Sequence, residues 1–195
     1  MTKLPELRKA LAYKLSQPVV RLLARTPITP NFLSWFGFMV TIGAAILIAI
    51  GHIFAAGFVV LLAGFFDILD GALARSTEQI TLFGGILDST LDRMAEVALL
   101  LGILAHYAGE PSVTGVLLAG VALSGSLLVS YIRARAEAAG LECQEGLFTR
   151  AERVVVLALG LLLNQIILVL AIIALLSFIT AGQRLVHAWQ QTRNK

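Results

Sequence analysis

Three long stretches of the chain contain no charged residue, and they limit the fold more than any other feature. No Lys, Arg, Asp or Glu lies between Arg25 and Asp67, between Glu110 and Arg133, or between Arg153 and Arg184. Each stretch is long enough for a helix to cross the hydrocarbon core of a bilayer, which takes about 20 residues. The composition agrees, because 58% of the 195 residues are hydrophobic and only 14% are charged. These values exclude an ordinary water-soluble domain and a disordered tail.

The hydrophobic stretches predict an all-α integral membrane protein, since only helices satisfy their own backbone hydrogen bonds in hydrocarbon without closing into a barrel. Six transmembrane helices are predicted at about 32–50, 54–75, 83–107, 112–136, 150–163 and 166–188. They form one domain that covers residues 1–195, with the bundle at 32–188. Residues 1–27 place apolar side chains every three or four positions, which predicts an amphipathic helix in the cytoplasmic membrane interface.

The basic residues predict the orientation of the bundle. With six spans, both termini and the even-numbered connections share one side, and all 15 Lys and Arg residues fall on that side. The opposite connections carry a single charge, Glu110. By the positive-inside rule, the chain is predicted to be a multi-pass protein of the cell membrane with both termini in the cytoplasm.

Four aspartates lie inside the second and third predicted helices, where a bilayer tolerates charge least. They are Asp67, Asp70, Asp88 and Asp92. The first two are three positions apart and the last two are four apart, so each pair occupies one face of its helix. A short turn joins the two helices, so we expect the acidic faces to meet. Four converging carboxylates repel one another unless cations neutralise them, and an all-oxygen ligand set favours Mg²⁺, Mn²⁺ or Ca²⁺ over zinc.

The residues alone leave other interpretations of these aspartates open. Intramembrane acids also line the ion paths of cation transporters, although here all four lie towards the cytoplasm and paired broken helices are not apparent. A structural protein stabilised by a metal would use the same ligands without any catalysis. Small residues beside the acids, such as Gly71 and Gly84, allow either close helix packing or the close approach of a ligand.

The segment from Asp67 to Asp92 resembles the signature of the CDP-alcohol phosphotransferases. That signature is D-x-x-D-G-x-x-A-R, eight residues, and then G-x-x-x-D-x-x-x-D, and every fixed position is met here. The resemblance implies an enzyme that transfers a phospholipid group from a CDP-lipid to an alcohol and releases CMP. It also implies a homodimer and two divalent ions, expected to be Mg²⁺ with Mn²⁺ as the alternative.

The same resemblance assigns roles to individual residues. Asp67, Asp70 and Asp88 would be metal ligands, and Asp92 would be both a ligand and the general base towards the acceptor hydroxyl. The implied CDP-lipid-binding positions are Asn31, Gly71, Ala74, Arg75, Thr81 and Gly84. Arg75 suits a phosphate because its planar donor fork binds oxyanions bidentately. Asn31 follows Pro30 and has an alternative role at the start of the first span.

Five arginines in the last three predicted helices predict a pocket for the acceptor. They are Arg133, Arg135, Arg150, Arg153 and Arg184. A group of cations around a short cytoplasmic connection suits an anionic polar substrate, while the alternative is anchoring at the cytoplasmic surface.

The segments YIRARAE and RAER, which carry four of these arginines, resemble the branch of the family that makes phosphatidylinositol phosphate or archaetidylinositol phosphate. Inositol phosphate is therefore the expected acceptor, and glycerol-3-phosphate is the alternative. Many bacterial members have Lys where this chain has Arg133. The donor would be CDP-diacylglycerol or CDP-archaeol, the other partners are membrane lipids, and no nucleic acid is expected.

Overall fold

Six long helices account for most of the molecule. The computed structural model describes residues 17–110, 112–143 and 146–193, and over these ranges it contains helices and no strands. The helices are α1 (Pro30–Ala49), α2 (Ile53–Ser76), α3 (Leu82–Gly109), α4 (Val113–Ala138), α5 (Arg150–Leu162) and α6 (Ile166–Arg193). The predicted all-helical fold is confirmed, and the largest difference at a helix end is at α6, which continues to Arg193.

Four of these helices, α1, α2, α4 and α6, are long and apolar enough to cross a membrane. The protein is therefore a membrane protein, as the charge-free stretches predict. Helix α3 has 28 residues, but Asp92, Arg93 and Glu96 interrupt its apolar sequence. Helix α5 has 13 residues, which extend about 20 Å and fall short of a hydrocarbon core. Six spans remain a prediction.

Hydroxyl side chains mark where the helices begin. Thr29 Oγ1 accepts a hydrogen bond from the amide of Phe32 at 3.3 Å, and Pro30 occupies the first turn of α1. Thr81 Oγ1 accepts from the amide of Gly84 at 2.9 Å at the start of α3. These contacts satisfy amides that have no partner within the helix. Two residues of the candidate site, Thr81 and Gly84, are therefore positioned by the cap of α3.

Helix α1 lies between α2 and α3, while α4 packs on α6 and α5 packs on both α2 and α6. Glycines allow two of these approaches. A Cβ on Gly102 of α3 would lie 2.5 Å from the carbonyl oxygen of Ala45 in α1, and a Cβ on Gly160 of α5 would clash with the side chain of Val169 in α6. Small residues bring membrane helices together in this way. The site is therefore built on tightly packed helices.

The segment before α1 is described only in part. Residues 17–23 are helical, and Val20 is buried in a cluster with Leu33, Leu69 and Leu73. Residues 1–16 lie outside the described ranges, so the amphipathic helix over residues 1–27 stays a prediction. Its described end packs against apolar side chains of α1 and α2.

Candidate active site

Three aspartates from two helices converge at one end of the bundle. Asp67 and Asp70 lie near the end of α2, and Asp88 lies near the start of α3. One carboxylate oxygen from each of the three lies within 4.8 Å of the others. Oxygen donors at this separation fit a hard divalent cation, and no thiolate or imidazole belongs to the cluster. The donor set therefore fits the Mg²⁺ or Mn²⁺ that the sequence predicts.

Asp70 is the most buried of the three carboxylates and accepts two hydrogen bonds. Its residue is 4% exposed, Ser34 Oγ of α1 donates to Oδ2 at 2.6 Å, and the amide of Gly71 donates to Oδ1 at 2.5 Å. Both bonds stabilise the ionised form of a buried carboxylate. Helix α1 thus orients a ligand that belongs to α2.

Asp92 joins the cluster through an arginine. Arg150 of α5 places Nη1 at 2.9 Å from Asp67 Oδ2 and at 2.5 Å from Asp92 Oδ1. The side chains of Asp67 and Asp92 are 38% and 20% exposed, so both reach the surface of the site. The structure thus brings all four predicted aspartates to one place, with Arg150 bridging Asp67 and Asp92.

These groups line a cavity of about 350 Å³. Its polar lining includes Ser34, Thr41, Glu96, Arg150 and the four aspartates. The remaining lining is largely apolar and comes mainly from α1, α2, α3 and α5, for example Phe38, Val60 and Val154. One cavity therefore has a charged region and an adjoining apolar region, which suits a ligand with both charged and apolar parts.

The predicted CDP-lipid positions form two small groups near the aspartates. A Cβ on Gly84 would lie 2.9 Å from Thr81 Oγ1 and 3.3 Å from Asn31 Oδ1, so these three residues meet where α1 and α3 begin. On α2, the guanidinium of Arg75 folds back over Gly71, where an added Cβ would lie 3.4 Å from Nη1. Ala74 is half-buried beside Arg75.

The five predicted acceptor arginines occupy different environments. Arg133 and Arg135 are exposed near the end of α4, where Arg133 pairs with Glu137 at 2.7 Å. Arg184 of α6 is 4% exposed and donates to the carbonyl oxygen of Val129 at 2.7 Å. Arg150 lies among the aspartates instead of beside the α4 arginines. The role of these arginines in binding the acceptor stays a prediction.

Arg153, the fifth, forms a buried ion pair with Glu96 of α3. Its Nε and Nη2 donate to the two carboxylate oxygens of Glu96 at 2.5 and 2.8 Å, and the two side chains are 2% and 8% exposed. This bidentate geometry is the strong form of a carboxylate–guanidinium contact. The pair links α3 to α5, which are not among the closely packed helix pairs of the described residues.

Ser34 and Glu96 belong to the site although no motif marks them. Glu96 follows Asp92 by four positions and Arg153 follows Arg150 by three, so each helix carries two charges on one face. This match of spacing is a signal that could have indicated the pair. Ser34 gives no such signal, because a single hydroxyl in an apolar helix often bonds only to its own backbone.

Comparison with known proteins identifies the family. The family model for CDP-alcohol phosphatidyltransferase matches residues 27–186. The chain belongs to this family. The archaetidylinositol phosphate synthase of Methanothermobacter thermautotrophicus is 35% identical over 188 residues, which cover 91% of this chain and 94% of that protein. The phosphatidylinositol phosphate synthase of Mycobacterium bovis is 34% identical over 97% of this chain and 92% of its own length.

Solved structures of this CDP-alcohol phosphatidyltransferase family agree with the fold. The Mycobacterium tuberculosis phosphatidylinositol phosphate synthase with CDP-DAG bound matches with a TM-score of 0.83 at 32% identity, over 90% of this chain and 94% of that chain. The same enzyme in complex with manganese and citrate also matches with a TM-score of 0.83. The family resemblance and the enzyme class that the sequence predicts are confirmed.

The buried pair between Glu96 and Arg153 gives a stability prediction. Glu96→Ala leaves the Arg153 guanidinium buried without its counter-charge, so we expect the free energy of unfolding to fall by about 3–5 kcal/mol. The double variant Glu96→Leu/Arg153→Met removes both charges and should recover most of that loss. Denaturant unfolding of the purified protein in detergent micelles measures both.

The exposed pair of Arg133 and Glu137 provides the matched control. Glu137→Ala breaks an ion pair that is about half exposed to solvent, and such pairs contribute at most about 1 kcal/mol. A Glu96→Ala variant that lost no more stability than Glu137→Ala would contradict the importance of the buried pair.

Proposed function

We propose that this enzyme transfers the phospholipid moiety of a CDP-lipid to a hydroxyl of inositol phosphate and releases CMP. The observation that carries the proposal is the convergence of Asp67, Asp70 and Asp88 in a cavity whose remaining lining is largely apolar. A CDP-lipid has a charged pyrophosphate next to apolar chains, so it fits both regions. The names of the relatives support inositol phosphate as the acceptor.

Asp67, Asp70, Asp88 and Asp92 would hold two divalent cations, with Mg²⁺ as the first choice and Mn²⁺ as the alternative. Bound there, the ions would neutralise the pyrophosphate and the charge that develops on the leaving CMP. The manganese complex of the Mycobacterium tuberculosis enzyme supports a divalent metal. The hydrogen bonds from Ser34 and the Gly71 amide would favour the ionised form of Asp70 and hold it in place for this role.

In the transfer step, the acceptor hydroxyl oxygen forms a bond to the phosphorus that carries the lipid. The bond from that phosphorus to the bridging oxygen breaks, and CMP leaves with the electron pair. Asp92 accepts the hydroxyl proton. A carboxylate is a weak base for an alcohol, so the proton moves in concert with the attack. Asp92 suits this role because it lines the cavity and is more exposed than Asp70.

The donor and the acceptor would approach the aspartates from different sides. Asn31, Gly71, Ala74, Arg75, Thr81 and Gly84 would bind the CDP group of the donor. Arg133 and Arg135 would contact the acceptor phosphate, and Arg184 would contribute from α6. Arg153 would act through its bond to Glu96 by fixing α5, which also carries Arg150.

We further propose that α3 crosses the membrane with α1, α2, α4 and α6, and that α5, a short span of about 20 Å, completes six crossings in one domain over residues 1–195. Both termini and the active site would then face the cytoplasm, with an interfacial helix over residues 1–27. The confinement of all 15 basic residues to one side of a six-span arrangement supports this orientation. The homodimer implied by the family resemblance belongs to the same proposal.

The acceptor is tested by measuring CMP release from CDP-diacylglycerol and from CDP-archaeol in detergent micelles with Mg²⁺. We expect inositol phosphate to support release well above the level without an acceptor, and glycerol-3-phosphate, serine and free inositol to support much less. A higher rate with glycerol-3-phosphate would replace the proposed acceptor. Release no faster with any acceptor than with buffer would overturn the proposed reaction.

The base is tested by Asp92→Asn. Removing a general base lowers kcat by about 100-fold or more, so CMP release should fall by at least that factor while the thermal unfolding midpoint changes little. Thr90→Val is the matched control, because Thr90 is exposed on the same turn of α3 and its hydroxyl donates to the backbone carbonyl oxygen of Ile86 at 2.8 Å. Turnover within a few-fold of wild type in Asp92→Asn would remove Asp92 from the base role.

The acceptor pocket is tested by Arg135→Gln. A hydrogen bond to a charged group contributes about 1.5–3 kcal/mol, so the KM for inositol phosphate should rise by roughly 10-fold to 100-fold. The KM for the CDP-lipid should stay the same, and Arg135→Lys should recover part of the loss by restoring the charge. Equal changes in both KM values would show that Arg135 does not act on the acceptor.

A further inference from the structure

Two arginines one turn apart in α5 are held in very different ways. Arg153 is 2% exposed and uses all three nitrogens, with Nε and Nη2 on Glu96 and Nη1 at 3.3 Å from the carbonyl oxygen of Phe148. The side chain of Arg150 is 26% exposed, and its buried Nε has no hydrogen-bond partner among the residues that the structure describes. A buried donor without an acceptor is unfavourable. Arg153 is thus an anchor, whereas the bonding of Arg150 is incomplete.

The Arg150 nitrogen that contacts the aspartates, Nη1, lies against oxygens that would also bind a metal. Nη1 lies 3.2 Å from Asp67 Oδ1, 2.9 Å from Asp67 Oδ2 and 2.5 Å from Asp92 Oδ1. Both oxygens of Asp67 therefore accept from the same group. Asp67 is also one of the three residues whose oxygens lie within 4.8 Å of one another. The guanidinium and a divalent cation would thus share a ligand at close range.

The Arg150 guanidinium and a divalent cation would compete for the same carboxylates. The aspartate cluster needs positive charge to offset repulsion between its carboxylates, and Arg150 supplies one unit of it. A divalent cation supplies two units to the same oxygens and would be repelled by a guanidinium one carboxylate away. The Glu96–Arg153 pair fixes α5 one turn further along, so the Arg150 side chain can move while its helix stays in place.

We propose that Arg150 is an internal counter-cation of the aspartate cluster, which competes with divalent cations and is displaced from Asp67 and Asp92 when they bind. The inference rests on the metal site of the proposed function. Displacement frees the guanidinium at the wall of the cavity, where it can meet the phosphate of the acceptor. Without metal, Arg150 neutralises the carboxylates. After metal binding, it neutralises the charge of an anionic substrate.

The first test measures Mn²⁺ affinity by electron paramagnetic resonance of the free ion, using purified full-length protein in detergent without nucleotide. Arg150→Met removes the competing charge, so we expect Mn²⁺ to bind on the order of tenfold more tightly. Arg193→Met is the control, because it removes the same charge from an arginine that packs on Trp189 at the end of α6. Unchanged or weaker binding in Arg150→Met overturns the proposal.

The second test compares thermal unfolding in EDTA and in saturating Mn²⁺. Arg150→Met should lower the unfolding midpoint in EDTA, since the carboxylates lose their counter-charge, and the deficit should disappear or reverse in Mn²⁺. An equal deficit under both conditions would assign Arg150 a structural role and contradict the proposal. Arg150→Gln is the second variant, and the same two outcomes apply to it if the methionine variant does not fold.

Asp67→Asn separates this inference from the proposed function. If wild type binds no Mn²⁺, or if Asp67→Asn binds it as wild type does, the proposed metal site fails and the inference fails with it. If Asp67→Asn abolishes binding while Arg150→Met leaves the affinity unchanged, the metal site stands and only the role of Arg150 is overturned.

Discussion

The structure depends on balancing negative charge inside an apolar bundle. Four aspartates in two consecutive helices repel one another, and a low-dielectric surrounding strengthens that repulsion. The protein offsets it with contacts from several elements, namely a hydroxyl of α1, an amide of α2 and a guanidinium of α5. Each contact also fixes the helix that supplies it. The contacts that neutralise the charge of the site are therefore also the contacts that arrange the helices around it.

The contacts between α3 and α5 illustrate this coupling. These helices are not among the closely packed pairs of the described chain, yet two ion pairs join them at successive turns. The outer pair, Asp92 with Arg150, borders the cavity and is partly exposed. The inner pair, Glu96 with Arg153, is almost fully buried. A buried charge pair contributes little net stability against an apolar replacement, so the inner pair is better understood as fixing geometry than as strengthening the fold.

The sequence predicts the helices well and the arginine contacts poorly, and the reason is physical. Charge-free stretches and capping residues such as Thr29 and Thr81 are local signals, so they locate helices without knowledge of neighbours. The convergence of Asp67 with Asp88 also follows from spacing within two consecutive helices. The partners of Arg150 and Arg153 depend on how α5 lies against α2 and α3. The spacing within α5 shows that the two arginines share a face, but it does not identify the helices that this face contacts. The sequence therefore places these arginines with Arg133 and Arg135, whereas the structure sets them against the acids of other helices.

The size of the cavity has a consequence for how a lipid substrate would be presented. A volume of about 350 Å³ is near the lower end for ligand pockets, which range over about 300–1,000 Å³. Two long hydrocarbon chains do not fit within it together with a nucleotide, so most of each chain would stay in the surrounding bilayer. The bilayer would then form part of the binding site. The turnover rate would depend on the mole fraction of the donor among the lipids instead of on its bulk concentration. Adding inert lipid or detergent would therefore lower the rate.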